Sequence, residues 1–399
     1  MSAHLLRLDE PPCPGPVPQG FALWSLGFRP FYLLASVFAA MSVGLWSLQF
    51  TGWWPRPYLP GPLWHAHEMV FGFTLAVVVG FLFTAGRTWS GRPTPTGRAL
   101  MALAALWLAG RVLVLTPWAL ASAVVNAAFP IAAAVGLAIP FWRSRNRRNL
   151  FFIGLLVLLG LANLGLHAAQ LGLFAPPHGV GLPLALDVVL FIMAVMGGRV
   201  IPMFTNNGVP NAGAERHLWV ERLALGSVLL LLAANVLGLP AMPMASIAAV
   251  AAVAHGTRLA LWRPWKTWRK PLVWVLHAGY AWIVVHLALR AAAALGGVPS
   301  SAAVHALTVG AIGGLVIGMM TRTARGHTAR PLKADRADTC AYLLVASAAM
   351  ARVFLPLAVP GWTMPAILVS AALWSLGFGL FAVRYGPMLS RPRLDGQPG

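Results

Sequence analysis

The feature that most constrains this chain is a recurrence of length rather than of sequence. Runs of roughly 20 apolar residues, each long enough to cross the hydrocarbon core of a bilayer, follow one another from end to end. Hydropathy places about twelve of them, near 24–49, 64–86, 99–116, 118–142, 149–174, 180–205, 218–238, 240–262, 271–295, 300–322, 338–358 and 362–384. A soluble domain has no use for so much apolar surface: charged residues are 10% of the 399 and hydrophobic ones 59%, against about 25% charged in ordinary globular domains. Inside lipid, backbone polar groups must be satisfied within a helix or around a closed barrel. The runs are rich in Ala, Leu, Val and Gly with little period-2 alternation, so helices are favoured over a barrel. The sequence therefore predicts an all-α, polytopic transmembrane bundle of about twelve spans. Connections as short as "TPW" and "GLPAMP" read as tight helical hairpins.

A net charge of +20 raises the question of a nucleic-acid partner, and the placement of the charges answers it. Arg87, Arg92 and Arg98 follow span two, and Arg143, Arg145, Arg147 and Arg148 follow span four. Arg216 and Arg222 flank the loop after span six; Arg263, Lys266, Arg269 and Lys270 follow span eight; Arg325, Arg330, Lys333 and Arg336 follow span ten. Connections after odd-numbered spans carry almost none, with Arg56 the exception. Under the positive-inside rule this alternation predicts both termini in the cytoplasm. The partner implied by the charge is the lipid bilayer, and nucleic acid is excluded. Residues 1–20, with "PPCPGPVPQG", are expected to be a disordered cytoplasmic tail without a signal peptide. Residues 21–386 then form the transmembrane domain and 387–399 a second cytoplasmic tail. Two cysteines, Cys13 and Cys340, make neither a disulfide framework nor a CxxC metal motif.

Against this background the stretch "WHAHEMVFGF" (64–73) stands out, because ionisable residues in a span are rare and usually functional. Span two enters from the outer side, so His65, His67 and Glu68 lie at its outer end. On a helix His65 and Glu68 share a face, whereas His65 and His67 are about 200° apart. The two histidines therefore face different neighbours or divide the labour, one ligating while the other orients. Span ten also enters from outside and brings His305 to the same depth. His167, Asp187 and Arg111 fall toward that side as well, while span nine carries His277 and Tyr280 in its inner half and His286 in its outer half. Imidazoles at one depth on several helices are either interfacial residues or a metal site. Neutral imidazole suits copper and iron, and His pairs from different helices are the usual axial ligands of a b-type haem.

Other motifs read differently. Gly310, Gly314 and Gly318 of "GAIGGLVIG" share one face, the pattern of close helix packing. No GxGxxG follows a strand and no Walker sequence is present, so ATP-driven transport has no support. In "GGRVIPMFTNNG" the Gly-Gly pair and Pro202 are expected to loosen span six, with Arg199 either at the inner interface or on an anionic group such as a haem propionate. "TRTARGHT" puts Arg322, Arg325 and His327 in a basic inner loop, and "WRPWKTWRK" is an interfacial anchor.

Taken together, "FALWSLGFRPFYLLA", "WHAHEMVFGF", "GRPT", "GGRVIPMFTNNG", "HAGYAW" and "HALTVGAIG…MMTRTARGHTARPL" resemble the NnrS family of bacterial membrane proteins over roughly residues 21–340. The resemblance implies a twelve-span protein of the bacterial inner membrane. It also implies haem of the b type, with copper left open, and a role in nitric oxide metabolism and nitrosative stress during denitrification. It selects His65, His67, His305, Arg199 and Arg322 as cofactor-binding residues, His65, His67, His305 and His277 as metal ligands, and Glu68, Tyr280 and His327 as accessory. It does not select His167, His178, His255 or His286. Catalytic residues stay unassigned and whether the chain is an enzyme stays open. Two other classes remain: a redox enzyme distantly analogous to haem-copper oxidase and nitric-oxide reductase, and a transporter of metal or a small molecule. The adjacent His-His pair and the closely spaced His pair on helix ten of those reductases are missing here.

Overall fold

The computed structural model describes residues 19–50, 58–173, 177 and 179–397; the N-terminal tail, His178 and Arg56 lie outside them. Among the described residues there is no strand, and twelve long helices follow the twelve apolar runs: α1 (Phe28–Phe50), α2 (Gly61–Ser90), α3 (Gly97–Leu113), α4 (Ala119–Arg143), α5 (Phe151–Gln170), α6 (Leu182–Gly208), α7 (Leu218–Val236), α8 (Ala241–Leu261), α9 (Pro271–Ala294), α10 (Ser300–His327), α11 (Arg336–Ala358) and α12 (Thr363–Ser390). Eleven are long and apolar enough to cross a membrane. The twelfth, α3, has 17 residues and spans about 25 Å at 1.5 Å per residue.

Local chemistry sets the boundaries. Proline in the first turn opens α2, α6 and α9, where a missing N–H costs nothing. Gly91, at φ +61°, ends α2 in the left-handed conformation that glycine adopts without a Cβ clash. α11 starts with a capping box, in which Asp335 accepts from the Ala337 and Asp338 amides while Asp338 accepts from the Asp335 amide.

Consecutive helices pack as neighbours and α1 closes on α12. The chain ends meet at one end of the bundle, where the Ala22 amide donates to Ser390 O at 2.8 Å. Arg29 caps the α12 terminus through Leu389 O (2.9 Å) and Arg391 O (2.7 Å). We call this the basic end, since the Arg-rich connections lie there, and the opposite one the far end. α2 and α6 are the most enclosed helices, with 78% and 72% of their apolar stretches buried. The α10 glycine face packs on α9: a Cβ at Gly314 would lie 2.9 Å from Gly279 Cα, and one at Gly310 would enter the Trp282 ring.

Two helices depart from regular geometry in the same way. α2 contains a π-helical segment at Glu68–Thr74 and α10 one at Ala306–Ile312, each starting within the turn that follows a far-end histidine. A π turn loosens the backbone hydrogen-bond ladder and recurs at functional sites. In α2, two side chains bond carbonyls of the segment: Thr74 Oγ1 donates to Met69 O (2.7 Å) and Trp107 Nε1 to Gly72 O (3.0 Å). α6, by contrast, runs unbroken through Gly197, Gly198 and Pro202. The expected loosening is absent because the glycines serve a different need. A Cβ at Gly197 would lie 2.9 Å from the Tyr280 ring, and one at Gly198 would overlap the Arg258 guanidinium.

Candidate functional site

At the far end, α2 and α10 flank a cavity of about 480 Å³ closed by α1, α6, α11 and α12. Its walls are mainly apolar, including Val43, Met69, Phe73 and Trp374. The two helices bring His65 and His305 into it, each in the turn before the π segment of its helix. His305 Nδ1 lies 2.7 Å from Ser301 O. A carbonyl accepts only, so Nδ1 carries the proton and Nε2 keeps a lone pair. His65 stacks against Trp46 with centroids 4.5 Å apart, and its Nδ1 is buried without a partner. Two imidazoles thus line one apolar chamber, both half-buried, with nitrogen lone pairs not taken up by the protein.

His67 points elsewhere. It lies in a buried polar network joining α2 to α3, α4 and α5. Its Nδ1 is 2.7 Å from Glu68 Oε1, and its Nε2 is 3.0 Å from Asn163 Oδ1 and 3.2 Å from His167 Nε2. Glu68 also accepts from Arg111 Nη1 at 2.6 Å, and Arg111 Nη2 donates to Asn126 Oδ1. Asn163 Nδ2 donates to Asn126 O (3.2 Å), which fixes its oxygen toward His67. Both nitrogens of His67 therefore face oxygens. His167 Nδ1 continues the chain to the Tyr58 hydroxyl at 3.4 Å, and Tyr58 lies before α2, outside the spans, where burial raises its pKa and keeps the phenol neutral. Gly72 makes the network possible, because a Cβ there would sit 2.6 Å from Arg111 Nη1. Glu68 thus orients His67 and not His65, although His65 shares its helical face by spacing. Arg111 Nη1 and His67 Nδ1 both lie on Glu68 Oε1, which holds the carboxylate in this network.

A second buried network joins α6 to α9. Arg258 donates to both oxygens of Glu221 (2.7 and 2.5 Å), to Ala194 O (2.7 Å) and to the Tyr280 hydroxyl (2.8 Å), which also lies 2.7 Å from His255 Nδ1. His277 stands apart from Tyr280. Its Nε2 is 2.8 Å from Thr205 Oγ1, whose hydrogen goes to Ile201 O, so Nε2 donates and Nδ1 is left buried and unpartnered. The structure therefore separates two residues that share a face by spacing. Arg199 donates to Asn149 (2.7 Å) and lies over Trp89, Phe151 and Phe152, while Arg322 lies 3.7 Å over the Phe204 ring. Neither lines the cavity. His327 packs on Phe28 beside a separate basic pocket with Arg87, Arg92 and Arg393. His286 donates through Nδ1 to Ala303 O at 2.8 Å. Sequence reasoning passed over His167 and His255, whose partners are about 100 and 25 residues away and leave no local trace.

The donor set separates two kinds of metal site. Among the described residues no three His, Cys, Asp or Glu side chains converge on one point, as an ion held by protein ligands alone requires. Haem iron brings its equatorial nitrogens with it and asks the protein for one or two axial ligands. Two imidazoles with free lone pairs in an apolar chamber fit that requirement, and a volume of about 480 Å³ lies within the usual range for cofactor pockets, about 300–1,000 Å³.

Fold and site together define a multi-pass helical membrane protein with a histidine-lined chamber at one end and buried ion-pair networks behind it. The chain matches the family described as NnrS protein over residues 22–393 and belongs to that family. No curated protein matches it.

Proposed function

We propose that this chain binds haem in the α2–α10 cavity, where His305 and His65 are the residues that would hold it, and that it acts in the bacterial inner membrane in the response to nitric oxide. The observation that carries the reading is the pairing of two histidines with free ring nitrogens across one apolar chamber, each in the turn before a π-helical segment. Membership of the NnrS family fits a role tied to nitric oxide. Ferrous haem supplies affinity for that diatomic gas. The protein's part is to hold and orient. Ser301 O fixes the His305 tautomer, the Trp46 face limits rotation of His65, and the apolar walls keep water away. The Arg-rich connections at the basic end support, by the positive-inside rule, a reading in which that end is cytoplasmic and the cavity periplasmic.

The test is the optical spectrum and iron content of the purified chain, with His65, His67 and His305 replaced singly by alanine. The His305→Ala and His65→Ala variants are expected to lose or shift the haem band. His67→Ala should retain it, because His67 belongs to the network behind the cavity. Wild-type spectrum and iron content in all three variants would place the cofactor elsewhere. A redox enzyme is the second reading, favoured by the hydrogen-bonded file Tyr58–His167–His67–Glu68, along which a proton would pass from the far end inward in such an enzyme. Its mark would be catalytic turnover of nitric oxide by the reduced protein, sensitive to Glu68→Gln.

A further inference from the structure

The cavity also contains one charged residue that no sequence motif announces, Arg352 of α11. Four other arginines inside the bundle have acids, and a fifth, Arg29, is held by the backbone carbonyls of Leu389 and Arg391. Arg111 is paired with Glu68, Arg258 with Glu221, Arg290 with Asp187, and Arg325 with Asp338. Among the described residues no carboxylate lies within ion-pair distance of Arg352, and the acids that are buried are already committed to those partners. The polar neighbours offer it little. Thr74, Thr308 and Ser370 donate their hydroxyl hydrogens to Met69, Val304 and Ala348 carbonyls, and Trp374 donates to Ala39 O. A guanidinium in a chamber walled by apolar groups needs a counter-charge. Its planar fork matches a carboxylate through two parallel hydrogen bonds.

We propose that Arg352 holds an anionic group of the cavity's occupant: a carboxylate, and in haem one of the two propionates. The proposal rests on the haem reading above and adds the residue that sets the cofactor's orientation, since a carboxylate held on the α11 side fixes which edge of the ring faces α11. Arg199 and Arg322, the arginines that the sequence motifs offer for this task, are engaged with Asn149 and Phe204 away from the cavity.

The experiment is a titration of the full-length chain, produced in a haem-deficient host and held in detergent, with haemin and with haemin dimethyl ester, whose propionates are neutral. Wild-type protein is expected to bind haemin about 10- to 100-fold more tightly than the ester, the range for one charge-assisted hydrogen-bonded pair. Arg352→Gln should bring haemin down to the ester's affinity while leaving ester binding at the wild-type level, which also shows that the variant folds. Arg352→Lys should keep part of the preference. Equal binding of the two ligands by wild type, or undiminished haemin preference in Arg352→Gln, overturns the role of Arg352 and leaves the haem reading standing. If neither ligand binds wild type, or if His305→Ala binds both as wild type does, the haem reading fails and the assignment of Arg352 falls with it.

Discussion

Arg111→Leu tests whether the network behind the cavity is a set of coupled charges or a set of independent contacts. Arg111 is 7% exposed and Glu68 is 0% exposed. One guanidinium reaches Glu68 at 2.6 Å, lies near the 2.7 Å His67–Glu68 contact and also holds Asn126. Removing one partner of a buried pair costs about 3–5 kcal/mol, because the other charge stays buried without it, whereas replacing both by apolar groups is often close to neutral. Arg111→Leu alone should therefore lose about 3–5 kcal/mol. The double variant Arg111→Leu with Glu68→Leu should recover part of that loss even though it removes a second polar residue. The assay is reversible unfolding in mixed detergent and SDS, followed by tryptophan fluorescence and closed as a double-mutant cycle. Loss of less than about 1 kcal/mol in the single variant, or losses that simply add in the double one, would refute the coupling.

Three further outcomes follow from the geometry. Gly198→Ala should destabilise the chain by an amount comparable to loss of the Arg258–Glu221 pair, about 3 kcal/mol or more, since the new methyl group overlaps the Arg258 guanidinium; a variant as stable as wild type in the same unfolding assay would contradict this. His277→Leu should leave the haem band unchanged, because His277 bonds Thr205 and does not line the cavity; an altered spectrum would put a metal near its unpartnered Nδ1. A cytoplasm-dependent reporter should be active when fused at Arg145, Lys266 or Lys333 and silent at Pro177 or Gly297, and the reverse pattern at Lys266 would invert the bundle.

The spans were legible because a bilayer imposes a length, and a 20-residue apolar run records it directly. The shared depth of His65 and His305 followed from the same counting, since both helices start at the far end. The π segments were not legible, because an extra residue in one turn leaves no compositional signature. The networks of His167 and His255 depend on helices brought together only by folding. Arg352 was overlooked because an arginine six residues from the end of an apolar run resembles an interfacial anchor. Its sequence signal was the absence of any acid within one helical turn in "AAMARVFLP".

The closure of α1 on α12 has a consequence for how the protein is made. Arg29 is fully buried, and among the described residues the hydrogen-bond acceptors of its side chain are the carbonyls of Leu389 and Arg391, about 360 residues further along the chain. Roughly 300 residues separate the end of α1 from the start of α12, so at about 5–20 residues per second α1 waits on the order of 15–60 s for this neighbour. Throughout that interval a cationic side chain and one flank of α1 face lipid, the insertion machinery or a membrane chaperone. A chain truncated before α12 would display the same exposed arginine indefinitely, which gives membrane quality control a chemical means of telling an unfinished molecule from a completed one.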